Sequence, residues 1–184
     1  NRTVSKIMHS SVQSPKYSKL LFRIICHIQA QKILELGTSL GITTSYLAST
    51  SSTSRCVTLE GSAEILNIAK ENFNKLKIKN INAIEGDIKK TLSEALLILE
   101  KMDFVFVDAH HSSVAVISYF EKCIPFLSKN AIMVFDDIYW SDDMELAWKV
   151  IKEHPKVTSS IDLFQMGIVF FNTDLNKKHY KVCY

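Results

Sequence analysis

Acidic residues close five apolar runs in this chain, and glycines stand beside most of them. The runs end at Glu35 with Gly37, at Glu60 with Gly61, at Gly86 with Asp87, at Asp108, and at Asp136 with Asp137. Gathered along one edge of a sheet, these residues make an acidic rim bordered by glycine. Ionised carboxylates accept hydrogen bonds from hydroxyl and amino groups, and several together suit a hard cation. Such a rim repels phosphate and favours a ligand carrying positive charge. The stretch Ile33–Gly41, Ile-Leu-Glu-Leu-Gly-Thr-Ser-Leu-Gly, says most. An apolar strand ends in Glu35, two glycines follow with three residues between them, and the helix-like segment Ile42–Ala48 comes next. Gly37 permits the turn, and Gly41 lets a ligand or the strand approach the helix start. One glycine alone would more often only close a turn. Here four of the five glycines of the chain (Gly37, Gly41, Gly61 and Gly86, but not Gly167) fall at strand ends, and the set points to a ligand site.

Positioning that rim requires parallel strands that end together, and the hydrophobic periodicity supplies them. A helix is predicted over Lys19–Ala30, with Leu20, Leu21, Ile24, Ile25 and Ile28 on one stripe. Strand Lys32–Leu36 leads to helix Thr43–Ser49. Strand Arg55–Glu60 leads through a Ser62 cap to helix Ala63–Leu76. Strand Asn80–Glu85 leads to helix Ile88–Leu99, and strand Phe104–Val107 to helix Ser113–Phe126. Strand Ala131–Phe135 precedes helix Asp142–Glu153, which Pro155 stops. The rhythm then changes to two consecutive strands, Lys156–Phe164 and Gln165–Phe171, with Gly167 near the turn between them. The prediction is an α/β fold with a doubly wound, mostly parallel seven-stranded sheet closed by a C-terminal antiparallel hairpin. In such sheets ligands bind beyond the carboxyl ends of the strands.

The composition narrows the function. With 184 residues, 47% of them hydrophobic, and no linker or repeat, residues 1–184 read as a single domain. The net charge of +3, without a Lys/Arg block, calls for neither a nucleic-acid nor a membrane partner. Cys26, Cys56, Cys123 and Cys183 are scattered, unlike a zinc site or a disulfide scaffold, so a reducing, cytoplasmic setting is expected. No apolar run is long enough to span a bilayer. The first residue is Asn, and Arg2–Pro15 is polar and weakly patterned. Residues 1–18 are therefore expected to be a partly ordered N-terminal segment, with upstream sequence missing.

The loops select among nucleotide ligands. No Gly-x-Gly-x-x-Gly cradle for pyrophosphate is present, and no Gly-x-x-x-x-Gly-Lys-Ser/Thr phosphate loop. Glu60, at the end of the second strand, can accept both hydroxyls of a ribose, although it could instead cap the following helix. Adenosine without phosphates fits best, as in S-adenosylmethionine (SAM), whose sulfonium and amino charges suit an acidic rim.

The ordered set Glu35-Leu-Gly37-Thr-Ser-Leu-Gly41, Glu60, Glu85-Gly86-Asp87, Val107-Asp108-Ala-His-His111 and Asp136-Asp137, with the closing hairpin, resembles class I SAM-dependent methyltransferases of Rossmann-like fold. Within them it is most similar to the bacterial small-molecule O-methyltransferases related to the catechol and caffeoyl-CoA enzymes. The resemblance spans residues 31–171. It implies that Glu35, Gly37, Thr38, Ser39 and Gly41 cradle the methionine portion, with Asp108 also in the cofactor-binding set. Glu60, beside Gly61 and Ser62, would take the ribose, while Gly86 and Asp87 border the adenine. The catechol-type relatives hold a divalent metal with an acid ending strand four and an Asp-Asn pair ending strand five. Here those positions are Asp108, Asp136 and Asp137, so Asp replaces Asn; as hard oxygen donors they suit magnesium or another divalent cation. Where the relatives carry a lysine base, three residues after the strand-four acid, this chain has His111, and an imidazole is a residue type able to accept a hydroxyl proton. His111 and Asp108 are thus the expected catalytic pair, ahead of His110. Tyr139 and Trp140 are candidates for packing over an acceptor ring, and Met8, His9 and Ser10 for a lid.

The expected reaction is methyl transfer from SAM to an oxygen of a small molecule, by a protein expected to be a homodimer. Two other readings stand beside it: an N-methyltransferase acting on a macromolecule, and a SAM-binding module without catalysis. The first lacks the Asn/Asp-Pro-Pro-Tyr/Phe motif and a basic surface; the second is open because function lives in the site rather than the fold.

Overall fold

Residues whose two faces are both covered form this protein's inner strands. A computed structural model describes residues 13–184, so the Met8–Ser10 lid and most of the 1–18 segment lie outside the described residues. The chain divides into two compact units, one running to Leu99 and the other from Glu100 to Tyr184.

The first unit contains α1 (Pro15–Ile28), β1 (Lys32–Leu36), α2 (Ile42–Ala48), β2 (Arg55–Glu60), α3 (Ala63–Lys75), β3 (Ile81–Glu85) and α4 (Ile88–Leu99). Its strands run β3-β2-β1 and are parallel, with Leu36 paired to Leu59 and Glu60 to Glu85. That register brings the turns after β1, β2 and β3 to one edge. Ile33, Leu34, Leu36, Val57 and Leu59 are fully buried, each contributing about 1.5–3 kcal/mol. Leu66, Ala69 and Phe73 on α3 form a small cluster of their own, with Ile81 and Ala83 of β3 packed on it. The bounds of α1 and β3 differ from expectation. α1 starts at Pro15, whose fixed φ suits a first helical position, and ends on Gln29 in a left-handed cap. β3 starts one residue later than expected, at Ile81; before it, the Asn80 amide donates to Ala48 O, Ser51 O and Ser54 Oγ and pins the loop before β2, while its main-chain oxygen accepts from Cys56 N.

The second unit contains β4 (Met102–Val107), α5 (Ser113–Cys123), a 3₁₀ turn Ile124–Phe126, β5 (Leu127–Asp136), α6 (Asp142–Glu153), β6 (Ser159–Asp162), β7 (Met166–Phe170) and β8 (Lys178–Lys181). The strand order is β4-β5-β7-β6-β8. β4 and β5 are parallel, with Val107 opposite Phe135; β7 is antiparallel to both β5 and β6. The core holds Phe104, Phe106, Tyr119, Phe120, Phe135 and Trp148. The α-helix expected to reach Phe126 stops at Cys123, since Pro125 lacks the N–H an α-helix would use. Gly167 lies within β7, opposite Phe135 and Asp162, and not at the hairpin turn; the turn residue with positive φ is Phe164. The face of Gly167 is taken by Trp148, whose ring would stand 2.5 Å from a Cβ there.

The class is the expected one: α/β, with mostly parallel strands and antiparallel strands near the C-terminus. The described residues hold eight strands, however, not seven. The addition is β8, parallel to β6 and exposed at every residue. Backbone pairing and side-chain bonds hold it, among them Ser159 Oγ donating to Asn176 O at 2.9 Å and Ser160 Oγ bonded to His179 Nδ1 at 2.8 Å.

Candidate active site

The turn after β1 is built from below. Glu35 is 0% exposed, so its carboxylate is not on the rim where the sequence reading set it. Oε2 accepts from the hydroxyls of Thr44 and Thr58, the latter at 2.6 Å. Thr58 spends its only proton on that bond, so Thr38, 2.6 Å away, must be the donor in the Thr38–Thr58 contact. A buried carboxylate is tolerated only when hydrogen-bonded, and this chain of hydroxyls ties the turn to β2 and α2. Gly37 and Thr38 donate their N–H groups to Leu59 O at 3.0 and 3.2 Å. Ser39 is left-handed (φ 47°), and its Oγ is buried with no hydrogen-bond partner among the described residues. Gly41 is left-handed as well (φ 76°), and a Cβ there would meet the Phe73 ring at 2.5 Å. Room at Gly41 is therefore filled by α3, which corrects the reading of this glycine as a space left for a ligand.

Glu60 joins two loops. Oε2 accepts from Ser39 N at 2.9 Å and Oε1 from Ser62 N at 3.0 Å, while Ser62 Oγ caps α3 by accepting from Ile65 N. Each carboxylate oxygen has a second lone pair, so both can still accept from a ligand. Beside it Gly61 is exposed, and a Cβ there would meet nothing within 4 Å. Gly86 donates its N–H to Glu60 O at 2.8 Å with φ 134°. Asp87 starts α4: Oδ1 accepts from Lys89 N at 2.9 Å, and the main-chain oxygen accepts from Lys90 N and Thr91 N. The structure thus brings Thr38, Ser39, Glu60, Gly61, Ser62 and Gly86 together at one edge of the first unit.

In the second unit His111 lies between two acids. Its Nε2 is 3.7 Å from Asp108 Oδ1 and its Nδ1 is 3.8 Å from Asp137 Oδ2, within ion-pair reach but longer than hydrogen bonds. Burial pushes the Asp108 carboxyl up to about 7, and the charge of Asp137 adds to the rise. Asp137 is also raised by burial, against which His111 acts. His110 (φ 63°) and Asp137 (φ 53°) are left-handed residues with side chains, a costly conformation that clusters at functional sites. His110 itself is turned aside, its Nδ1 bonded to the Tyr119 hydroxyl at 3.0 Å.

The metal reading does not fit this arrangement. Among the described residues no three His, Cys, Asp or Glu side chains are placed to hold an ion. Asp108, Asp136 and Asp137 were expected to converge; instead the imidazole separates Asp108 from Asp137, and Asp136, at the end of β5, is buried at 5% exposure.

The aromatic pair after β5 divides. Trp140 is 72% exposed and its ring centroid is 6.5 Å from that of His111. Tyr139 is held elsewhere, donating its hydroxyl to Asp162 Oδ2 at 2.6 Å. The sequence reading missed Thr44, Thr58 and Asp162. The threonines recur at helix and strand positions facing Glu35, a signal visible only once the register of β1 and β2 is known; Asp162 carried none.

A profile of a methyltransferase domain matches residues 34–138. No curated protein gives a significant match. Several solved structures share the fold. Cofactor-bound Rv0187 from MTB is 23% identical, with TM-score 0.80 over 88% of this chain and 82% of that one. The O-methyltransferase from Bacillus cereus in complex with SAH is 22% identical, with TM-score 0.76 over 91% and 90%. The O-methyltransferase TomG from Streptomyces achromogenes, in complex with SAM, is 20% identical, with TM-score 0.78 over 94% and 90%. At these identities the structures speak for the fold, whereas the profile covers more than half of the sequence, from within β1 to just beyond β5. The protein belongs to the methyltransferase-domain family.

Proposed function

We propose that this protein transfers a methyl group from SAM to an oxygen of a small molecule, with His111 as the base. The observation that carries the reading is the imidazole held between Asp108 and Asp137 at the end of β4. Support on the cofactor side comes from the first unit: Glu60 keeps free lone pairs, Gly61 borders open space, and the buried Ser39 hydroxyl has no partner among the described residues. Glu60 would take the ribose hydroxyls, Gly86 and Asp87 would border the base, and Glu35 would support the turn from beneath. Bound SAM supplies an electrophilic methyl on a sulfonium and leaves as S-adenosylhomocysteine (SAH).

His111 accepts the acceptor's hydroxyl proton at whichever ring nitrogen is unprotonated. The imidazolium so formed is stabilised by Asp137 and by Asp108, whose raised carboxyl ionises more readily once a positive charge stands beside it. The remaining contribution is alignment of oxygen, methyl and sulfur. No step requires a metal. The near-neutral charge of +3 supports a small acceptor over a nucleic acid. Among the described residues no helix is long and apolar enough to cross a membrane. Four unpaired thiols support a cytoplasmic setting, and exposed Leu146 and Val150, one turn apart on α6, support a homodimer.

The test is acceptor screening for SAH release with and without chelator. His111→Ala should cut turnover by roughly 10²–10⁴-fold with SAH affinity unchanged, and chelator should have no effect. Abolition by chelator, or full turnover in the variant, would refute the mechanism.

A further inference from the structure

We propose that Tyr139 is a positioning residue: its clamp by Asp162, Phe164 and Lys181 holds the Asp137–Trp140 turn, and with it the carboxylate beside His111. The proposal rests on the methyl-transfer reading above and extends it to a residue that need not touch the acceptor.

The turn has reason to move. Asp137 is left-handed at φ 53°, a conformation disfavoured for a residue with a Cβ. Two backbone bonds hold the turn: Trp140 N donates to Asp137 O at 2.9 Å, and Ile138 N to Gln165 O at 3.3 Å. The side chain of Tyr139 adds a third restraint from three directions. Its hydroxyl donates to Asp162 Oδ2 at 2.6 Å. Its ring stacks on Phe164 with centroids 5.5 Å apart and planes 25° apart. Lys181 Nζ lies 5.2 Å from the ring centroid, on β8. Asp162 is itself fixed, since Oδ1 accepts from Phe164 N at 2.9 Å and its main-chain oxygen accepts from Val182 N at 2.8 Å. The bond to Asp162 raises the Tyr139 phenol to about 12, so the group stays a donor at working pH.

Asp137 and Trp140 flank Tyr139 on the same turn, and both face His111, at 3.8 Å and at 6.5 Å between ring centroids. A loosened turn carries the carboxylate away from the imidazole it supports. Misplacement of about 1 Å in a catalytic group can cost as much as 10²-fold in rate. Tyr139 and Trp140, alike in sequence, therefore divide the work: one anchors the turn and the other stays exposed beside the base.

The test uses Tyr139→Phe, which keeps the ring, Asp162→Asn, which keeps an acceptor for Phe164 N, and the double variant. Each single change should lower kcat roughly tenfold with KM for SAM unchanged, and the double should be no worse than the more severe single, because both changes break the same hydroxyl-to-carboxylate bond. Acrylamide quenching of tryptophan fluorescence reads the turn without turnover, since Trp148 is buried and Trp140 is exposed. Quenching should change in all three variants. Unchanged kcat and quenching in Tyr139→Phe would overturn the proposal. So would a rise in KM for the acceptor with quenching unchanged, which would make Tyr139 a substrate contact. If the wild type turns over no acceptor yet quenching shifts in the variants, the anchor stands and the methyl-transfer reading falls.

Discussion

A Cβ at Gly41 would lie 2.5 Å from the Phe73 ring, whereas one at Gly61 would meet nothing within 4 Å. The two glycines, both read from the sequence as room for a ligand, therefore predict opposite phenotypes. Gly41→Ala forces a left-handed residue with a Cβ into a filled space and should destabilise the fold by about 1–3 kcal/mol, whatever is bound. Gly61→Leu should leave the melting temperature unchanged but weaken SAH binding about tenfold, or 1.4 kcal/mol, because the open face beside Glu60 is where a ribose would approach. Melting curves and calorimetric titration on the pair separate packing from binding. Unaltered SAH affinity in Gly61→Leu would remove the cofactor from that edge.

Burial decides which elements the sequence discloses. β4 was legible because apolar residues run without a break from Phe104 to Val107 where both faces are covered, and β1 and β2 because each interrupts its apolar run only once, at Glu35 and at Thr58. β8 was not: Lys-His-Tyr-Lys has no apolar pattern, and its order comes from pairing with β6 and from Ser160 meeting His179. The acids at the strand ends could likewise be placed along the chain but not oriented. Period-2 alternation leaves open whether Glu35 points beneath the turn, and nothing in Asp-Ala-His-His announces that His111 would sit between Asp108 and Asp137. Gly167 is the position where packing left least trace, since its neighbour Trp148 is distant in sequence. Gly167→Ala should cost about 1–3 kcal/mol by overpacking that ring, read as a lower denaturant midpoint with unchanged slope. Equal stability would show that Trp148 can shift aside.

For the whole molecule, we propose that the chain unfolds as one cooperative domain and that Asp108 sets its pH dependence. A carboxyl whose value rises from 3.8 to about 7 on folding keeps, in the native protein, a proton that the unfolded chain releases. Stability should therefore fall as pH rises through that window and level off above it, with Asp137 acting in the same direction. Calorimetry should record a single transition whose midpoint drops from pH 4 towards pH 8 by less in Asp108→Asn than in the wild type. Two resolved transitions, or the same slope in the variant, would count against this. β8 bears on how copies of the molecule meet. It ends the strand order, so among the described residues no strand pairs with one side of Lys178–Lys181. Lys177, Lys178 and Lys181 set like charges against one another whenever two such edges align, a guard against fibril-like polymerisation. Acylating those lysines would leave the chain's covalent backbone intact while removing that guard, and would turn a strand exposed at every residue into an adhesive edge.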